Sequence, residues 1–510
     1  MKTIFESCQP RDEVLEGELK DEIFRASLSD VHLGKAEDVY KNPKIFFEHT
    51  YRTDGLKTLL NEVLGRLTGA KPANSPVIRL ETSFGGGKTH NLIALYHLAS
   101  GKVSADSVSD LLNPEFIPSK PIRIVPLSGS DLDPSGGMIH GDITTYTLWG
   151  EMAFQAAGPD GYKIMEKNDR ERGRPGEARI KELLGKEPTL ILIDEFAAYL
   201  RAARGIRVAD TNLADMSTAY LMALLGAAAT LENVVVVYTL AESTDAFAPE
   251  TAQILESLEE ASRVSARQER VITPTAETEI APIVTRRMFK SISSDAASEV
   301  AALYNNYFNQ LLGQGVDLPP RAVQAEYTRE METAYPFHPE LLTTLNRKTS
   351  TIPNFQKTRG ALRLLGMVIR RLWGQRPKET LLIHPCHLDL AVEDILNDLT
   401  SRLQRPAFRH VVEADITTPL KGSKAHSQII DDPLLQAGKR PYAMRASTVI
   451  FLHSIVQGVA SGVAPADLLL GVLQPGDDPV LLQKALDQLY DTCWYLDYDG
   501  NRYRFKTEPS

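Results

Sequence analysis

Cysteine is scarce. Three occur in 510 residues, Cys8, Cys386 and Cys493, far apart in the chain. A disulfide framework is thereby excluded, and a reducing cytoplasm is the expected compartment. Long apolar runs are missing as well. The most apolar stretch, 449–463, contains His453, Ser454 and Gln457 and is too short and too polar to span a bilayer. The opening M-K-T-I-F-E-S-C-Q-P-R-D lacks the apolar core of a secretion signal, so no membrane partner is expected. Basic charge is in deficit, with 56 Lys and Arg against 66 Asp and Glu and a net charge of −10. The surface as a whole is therefore no electrostatic trap for nucleic acid, which leaves only a local basic face for that role. No internal repeat, long low-complexity tract, or Ser-His-Asp or Cys-His nucleophile stands out. His384, Cys386 and His387 have no second cluster to complete a metal site and read as structural.

What is present is a globular composition, 43% hydrophobic and 24% charged, in a chain long enough for two to four domains. Its most informative stretch is V-I-R-L-E-T-S-F-G-G-G-K-T-H-N-L-I-A-L-Y-H-L, residues 77–98. Val77–Glu81 is a short apolar, β-branched run after Pro76 and reads as a buried strand. Gly85, Gly86 and Gly87 follow, then Lys88 and Thr89, then apolar residues at helical spacing. Strand, glycine loop, Lys-Thr and helix make a P-loop. Loop N–H groups and the positive end of the helix converge on one anion. The expected ligand is ATP with Mg²⁺. Ser83, Phe84, Gly85, Gly86, Gly87, Lys88, Thr89 and His90 form the candidate cradle, with Lys88 on the β- and γ-phosphates and the Thr89 hydroxyl on the metal. Thr82 stands where the usual pattern has its first glycine.

Residues 189–195, T-L-I-L-I-D-E, are an apolar run ending in two acids. A fully buried central strand reads this way. Asp194 is expected to hold Mg²⁺ opposite Thr89. Glu195 is expected to polarise the attacking water. Alternation along the strand sends the two carboxylates in different directions, so they need not share one role. The next apolar run, 234–238, ends in Thr239, a candidate to orient that water, with Glu242 and Ser243 close behind.

Further strands are expected at 122–127 and 271–273. With helices at 54–67, 146–155, 213–230 and 254–268 between and beside the strands, the pattern is a three-layer α/β/α domain over about 45–275. Residues 158–177 are polar and mixed in charge and read as a solvated insertion. Residues 290–373 look helical and lack strand signals; a helix with a buried stripe of Leu362, Leu365, Val368, Ile369 and Leu372 has Arg359 at its start. The last segment has helices at 443–456, 465–472 and 479–490, then aromatic-rich strands flanking Asp499-Gly500, a hairpin signal. Three helices and a hairpin resemble a winged helix, a module that binds DNA or protein. Arg502, Arg504 and Lys506 lie on the hairpin among Asp491, Asp497 and Asp499.

The T-S-F-G-G-G-K-T-H loop, the I-L-I-D-E strand, the R-R-M-F segment and the F-Q-K-T-R-G-A-L-R-L-L helix together resemble AAA+ ATPases. More narrowly, they are similar to the bacterial and archaeal domain-of-unknown-function 499 family, associated with anti-phage defence. The opening C-Q-P-R-D-E-V-L-E-G-E-L-K-D-E-I-F, the F-F-E-H-T-Y-R-T-D-G-L segment and the closing Y-L-D-Y-D-G-N-R-Y-R-F-K-T-E-P extend the likeness over nearly the whole chain. The resemblance implies Walker A at Lys88 and Thr89, Walker B at Asp194 and Glu195, a first sensor at Thr239 and a second sensor at Arg359 on a helical lid. It also implies an arginine acting on a neighbouring subunit. Arg267 is the choice, with Arg263 and Arg270 beside it and Arg286 and Arg287 as runners-up, and such a residue implies a homo-oligomer. Members of the family are longer, so the chain is expected to be an N-terminal portion of such a protein.

The expected architecture is an α/β AAA+-like protein. It has an N-terminal helical extension (1–44), a P-loop domain (45–289), a helical lid (290–375) and a connecting segment with a winged-helix-like domain (376–510). The expected function is Mg²⁺-dependent ATP hydrolysis that drives or gates a conformational change in anti-phage defence. A nucleotide-gated scaffold with little turnover and a DNA-binding regulator are its rivals.

Overall fold

The computed structural model of the chain describes all residues except 18–25, 82–86, 241–247, 265–268, 277–278, 346–356, 404, 419–421, 456–460 and 510. The fold divides into two compact units, Arg25–Ile280 and Met1–Phe24 with Ala281–Ser510. Of the N-terminal residues, 25–44 belong to the first unit and 1–24 to the second. Within the second unit Cys8–Pro10 pairs antiparallel with Phe289–Ile292, a strand in a region the sequence reads as purely helical. Its few residues are too short to show alternation, and the tie between them is long-range in sequence.

The first unit is built in chain order from α1 (Asp54–Leu67), β1 (Val77–Leu80), α2 (Lys88–Ala99), β2 (Arg123–Ser128), α3 (Leu148–Arg170), β3 (Thr189–Asp194), α4 (Phe196–Ala203), α5 (Leu213–Thr230), β4 (Val234–Thr239), α6 (Ala248–Val264) and β5 (Glu269–Ile272). The five strands form one parallel sheet in the order β5-β1-β4-β3-β2. The central strands β3 and β4 are buried at every residue. Their near-continuous apolar sequences follow from having both faces covered. Alternation sorts the side chains. Ile78, Leu80, Leu190, Leu192, Val235 and Val237 face a core shared with α1 and α2. Ile191, Ile193, Val236 and Tyr238 face the opposite core with α3, α4 and α5. Helices thus cover both sides of the sheet.

Register brings the strand ends level. Leu80 pairs with Thr239, Ile193 with Tyr238 and Ser128 with Asp194. The carboxyl ends of four neighbouring strands form one crest, the place where open α/β sheets hold their ligands. Among the described residues α5 alone is long and apolar enough to cross a bilayer. Its Leu213, Tyr220, Leu221 and Leu224 are consumed by the core against the sheet. Residues 158–177 are not a loose insertion. Helix α3 runs on to Arg170 through a kink at Ala157 and Gly158, and Tyr162, Met165 and Asp169 return to the core on one face. The Gly158-Pro159 break and the charged outer face hide this helix from a sequence reading.

In the second unit the main helices are α7 (Ser294–Gly313), α8 (Lys357–Gln375), α9 (His426–Gln436), α10 (Tyr442–Ser454), α11 (Pro465–Val472) and α12 (Pro479–Thr492). The hairpin β6 (Leu496–Tyr498) and β7 (Tyr503–Phe505) closes it. Helix α10 is buried along nearly its whole length. The Asp431 carboxylate of α9 caps its start, accepting from the Ala443 and Met444 amides at 2.8 Å each. Gly500 turns the hairpin at φ +89°, and Asp499 Oδ1 accepts from the Asn501 and Arg502 amides. This is the Asp-Gly turn that the sequence signals.

Candidate active site at the crest of the parallel sheet

Gly87 stands at φ +92° and leads directly into α2. Besides this left-handed backbone, a Cβ there would lie 2.8 Å from Thr275 Oγ1, so the position suits glycine alone. Lys88 and Thr89 are the first two residues of the helix. Their amides are among those an α-helix leaves without internal partners. Of the expected cradle, Ser83, Phe84, Gly85 and Gly86 lie outside the described residues.

The Thr89 hydroxyl donates to Asp194 Oδ2 at 2.6 Å, so two residues 105 positions apart meet. The Thr239 hydroxyl donates to Asp194 Oδ1 at 2.7 Å. The Glu195 amide reaches both Asp194 Oδ1 and Thr239 Oγ1 at 3.1 Å. Strand β4 separates β1 from β3, which places Thr239 beside the carboxylate where it serves as its second hydroxyl donor. Asp194 is 4% exposed. Burial pushes its carboxyl above the ordinary range, and the Thr89 hydrogen bond works against this. The Glu195 charge adds to the rise, while the Thr239 hydrogen bond and the Lys88 charge oppose it. The buried Asp194 carboxylate thus has two hydroxyl donors and an ammonium charge acting on it.

Glu195 departs from its neighbour. It takes a left-handed conformation at φ +51°, turns the chain from β3 into α4, and leaves its carboxylate exposed. A non-glycine residue held there costs about 1–2 kcal/mol. The surroundings enforce it: Gly129 N donates to the Asp194 carbonyl at 2.8 Å, and a Cβ on Gly129 would sit 2.2 Å from the Glu195 carbonyl oxygen. Gly129 is a site residue the sequence reading misses, because it lies in the turn-rich run after β2 that reads as an exposed loop. The pairing of Ser128 with Asp194 is what reveals it.

Other expected site residues are placed elsewhere. The His90 ring stacks on Phe46 at 4.4 Å and bonds Thr50 Oγ1 at 2.8 Å. Since Thr50 Oγ1 already donates to the Phe46 carbonyl, His90 Nε2 is the donor. Its side chain anchors α2 to the preceding segment and does not join the Thr89–Asp194 pair. Arg267, Glu242 and Ser243 lie outside the described residues, as do the side chains of Arg263 and Arg359. Arg359 belongs to α8 of the second unit. Arg270 forms an ion pair with Glu62. On the hairpin, Arg504 pairs with Asp497 and Asp499, and Lys506 with Asp497 at 2.7 Å. Acids of the hairpin itself thus offset most of its basic charge.

No curated protein matches the sequence. Among solved structures, a Walker-type ATPase of Pyrococcus abyssi is similar at 15% identity and a TM-score of 0.27, over 87% of this chain and 91% of that one. The model of the DUF499 N-terminal domain matches residues 3–257, and that of the DUF499 second domain matches 275–464. With all but short stretches of the chain matched by these two models in order, the protein belongs to the DUF499 family.

Proposed function

We propose that the chain is a Mg²⁺-dependent ATPase module whose reaction takes place at the crest of the first unit. The observation that carries this reading is the hydrogen-bonded set Thr89–Asp194–Thr239–Glu195 beside the start of α2. Its donors toward a metal are a hydroxyl and a carboxylate, all oxygen, which fits Mg²⁺ rather than a softer ion. Mg²⁺ bound there supplies charge neutralisation between the β- and γ-phosphates. The protein's own residues do the rest. The α2 amides and Lys88 grip the phosphate oxygens, and Asp194 holds the Thr89 hydroxyl in place. Glu195, exposed and on the far side of the turn from Asp194, takes the proton of the attacking water. Thr239 fixes the Glu195 amide and so sets the direction of that side chain.

The wider reading keeps the AAA+ roles as part of the proposal: Arg359 as a second sensor on a helical lid, Arg267 acting in trans within a homo-oligomer, and α10–α12 with the hairpin as a winged-helix-like partner-binding module. Cytoplasmic anti-phage defence is the proposed setting, with hydrolysis driving or gating a conformational change. A nucleotide-gated scaffold with little turnover remains the rival. Phosphate release from ATP with Mg²⁺ separates the two. Wild type is expected to turn over, Lys88→Ala to lose nucleotide binding, and Glu195→Gln to bind ATP with turnover lower by about 10²–10⁴. Stable retention of ATP without ADP formation selects the scaffold, and equal activity in all three proteins refutes the assignment.

A further inference from the structure

Asp415, His426 and Cys493 arrive from three separate elements of the second unit. Asp415 lies in the short helical turn Val412–Ile416, His426 opens α9, and Cys493 follows the last residue of α12. One carboxylate oxygen, one imidazole nitrogen and the thiol sulfur all fall within 4.8 Å of one another. Asp415 and Cys493 are buried, and the His426 side chain is 22% exposed, so the cluster opens to solvent on one side.

Hydrogen bonds hold the carboxylate in a fixed orientation. Asp415 Oδ1 accepts from the Trp494 amide at 3.0 Å and from His426 Nδ1 at 2.8 Å, and Oδ2 accepts from the Tyr495 amide at 2.7 Å. The Asp415 carbonyl accepts from Ser427 Oγ at 2.6 Å. These bonds explain the aspartate and the histidine as a staple between α9 and the start of the hairpin. They make little use of the thiol, which meets the Asp415 carbonyl only at 4.0 Å. A buried cysteine alone is a small apolar residue. Here its sulfur stands beside an oriented carboxylate–imidazole pair, so three ligand types lie within 4.8 Å of one another.

We propose that Asp415, His426 and Cys493 form a three-ligand site for a divalent transition-metal ion, with a solvent molecule completing the shell on the His426 side. Mixed sulfur, nitrogen and oxygen donors favour zinc over the hard cations that oxygen-only sites take. Coordination replaces the His426–Asp415 hydrogen bond with two metal bonds. The imidazole proton moves from Nδ1 to Nε2, leaving Nδ1 as a neutral ligand, and the thiol releases one proton to solvent. Because the thiol gives up its proton to the metal, binding is proton-coupled and weakens as the pH falls. The bound ion ties α9 and α12 together where the chain enters the hairpin, and so stiffens the base of the proposed partner-binding module.

The test uses the full chain, stripped with a chelator and titrated with Co²⁺, which occupies zinc sites and reports thiolate ligation by a sulfur-to-metal charge-transfer band. One Co²⁺ per chain with that band, displaced by Zn²⁺, is the expected result. Cys493→Ser should abolish the band, while Cys8→Ser and Cys386→Ser keep it. His426→Gln, on the open side, should weaken Co²⁺ binding by more than about tenfold. The urea midpoint of each metal-free variant checks its folding. The Thr89–Asp194 site offers only oxygen and gives no such band, so the outcome is independent of the ATPase reading. No thiolate band in wild type, or one that survives Cys493→Ser in a folded protein, overturns the proposal.

Discussion

Gly129 and Glu195 approach so closely that no side chain fits between them: a Cβ on Gly129 would stand 2.2 Å from the Glu195 carbonyl oxygen. The exit of β2 therefore supports the left-handed turn that separates the two acids. Gly129→Ala must push that turn away and carry the Glu195 carboxylate with it. Lys88 and Thr89 are fixed by α2 and are unaffected. Turnover is expected to fall about 10²-fold, the usual consequence of misplacing a reacting group by about 1 Å, with ATP affinity unchanged. Steady-state kinetics read the split directly, and an unchanged kcat contradicts this role.

Thr239→Val keeps the shape of the side chain and removes its hydroxyl. The buried Asp194 carboxylate loses one of its donors, and the Glu195 amide loses one of its two acceptors. Hydrogen bonds to a charged group contribute about 1.5–3 kcal/mol. The denaturation midpoint of the first unit should fall accordingly, and turnover should drop by about tenfold or more. A variant as stable and as active as wild type would remove Thr239 from the site.

The second unit should lose stability in mild acid. His384 donates from Nδ1 to the Gly471 carbonyl and accepts the Tyr304 hydroxyl at Nε2, both at 2.8 Å, which fixes a neutral tautomer. Burial lowers it to about 3. Burial, with the neighbouring His384 next, also holds His338 well below its usual range. Both are neutral when folded and protonate near pH 6.5 when unfolded. Stability is thus intact above about pH 6.5 and falls below it by about 1.4 kcal/mol per pH unit for each histidine. His338 Nδ1 caps a helix by accepting the Glu340 amide, a task asparagine can perform. Comparing urea midpoints at pH 7.5 and 5.5, His338→Asn should show a smaller loss than wild type. An identical loss would mean that this ring does not titrate on unfolding.

Much of this site is legible from sequence because its parts are local. Val77–Leu80, Thr189–Asp194 and Val234–Thr239 each announce a buried strand, and the residues at the ends of two of them, Asp194 with Glu195 and Thr239, form the hydrogen-bonded set. The Thr89–Asp194 meeting follows once both motifs are recognised. Strand order does not follow, because it depends on which apolar faces pack together across long loops. For the same reason the positioning role of Gly129 is hidden: it exists only because Ser128 aligns with Asp194 in the sheet. The direction of the His90 side chain is hidden because sequence adjacency to Thr89 says nothing of it, and one step along a helix turns a side chain by about 100°. The kinked helix α3 and the Cys8–Pro10 strand escape for a similar reason. Their partners are distant in the chain, and their own residues carry a broken or very short pattern.

The proposed reaction requires Thr89 and Asp194 to share one metal ion with a nucleoside triphosphate. Equilibrium binding of ATP, with and without Mg²⁺, to wild type and to Thr89→Val tests it most directly. Mg²⁺ should tighten ATP binding to wild type, and the valine variant should lose this gain while remaining folded. Equal affinity in all four combinations, or no binding of ATP to wild type at all, would contradict it.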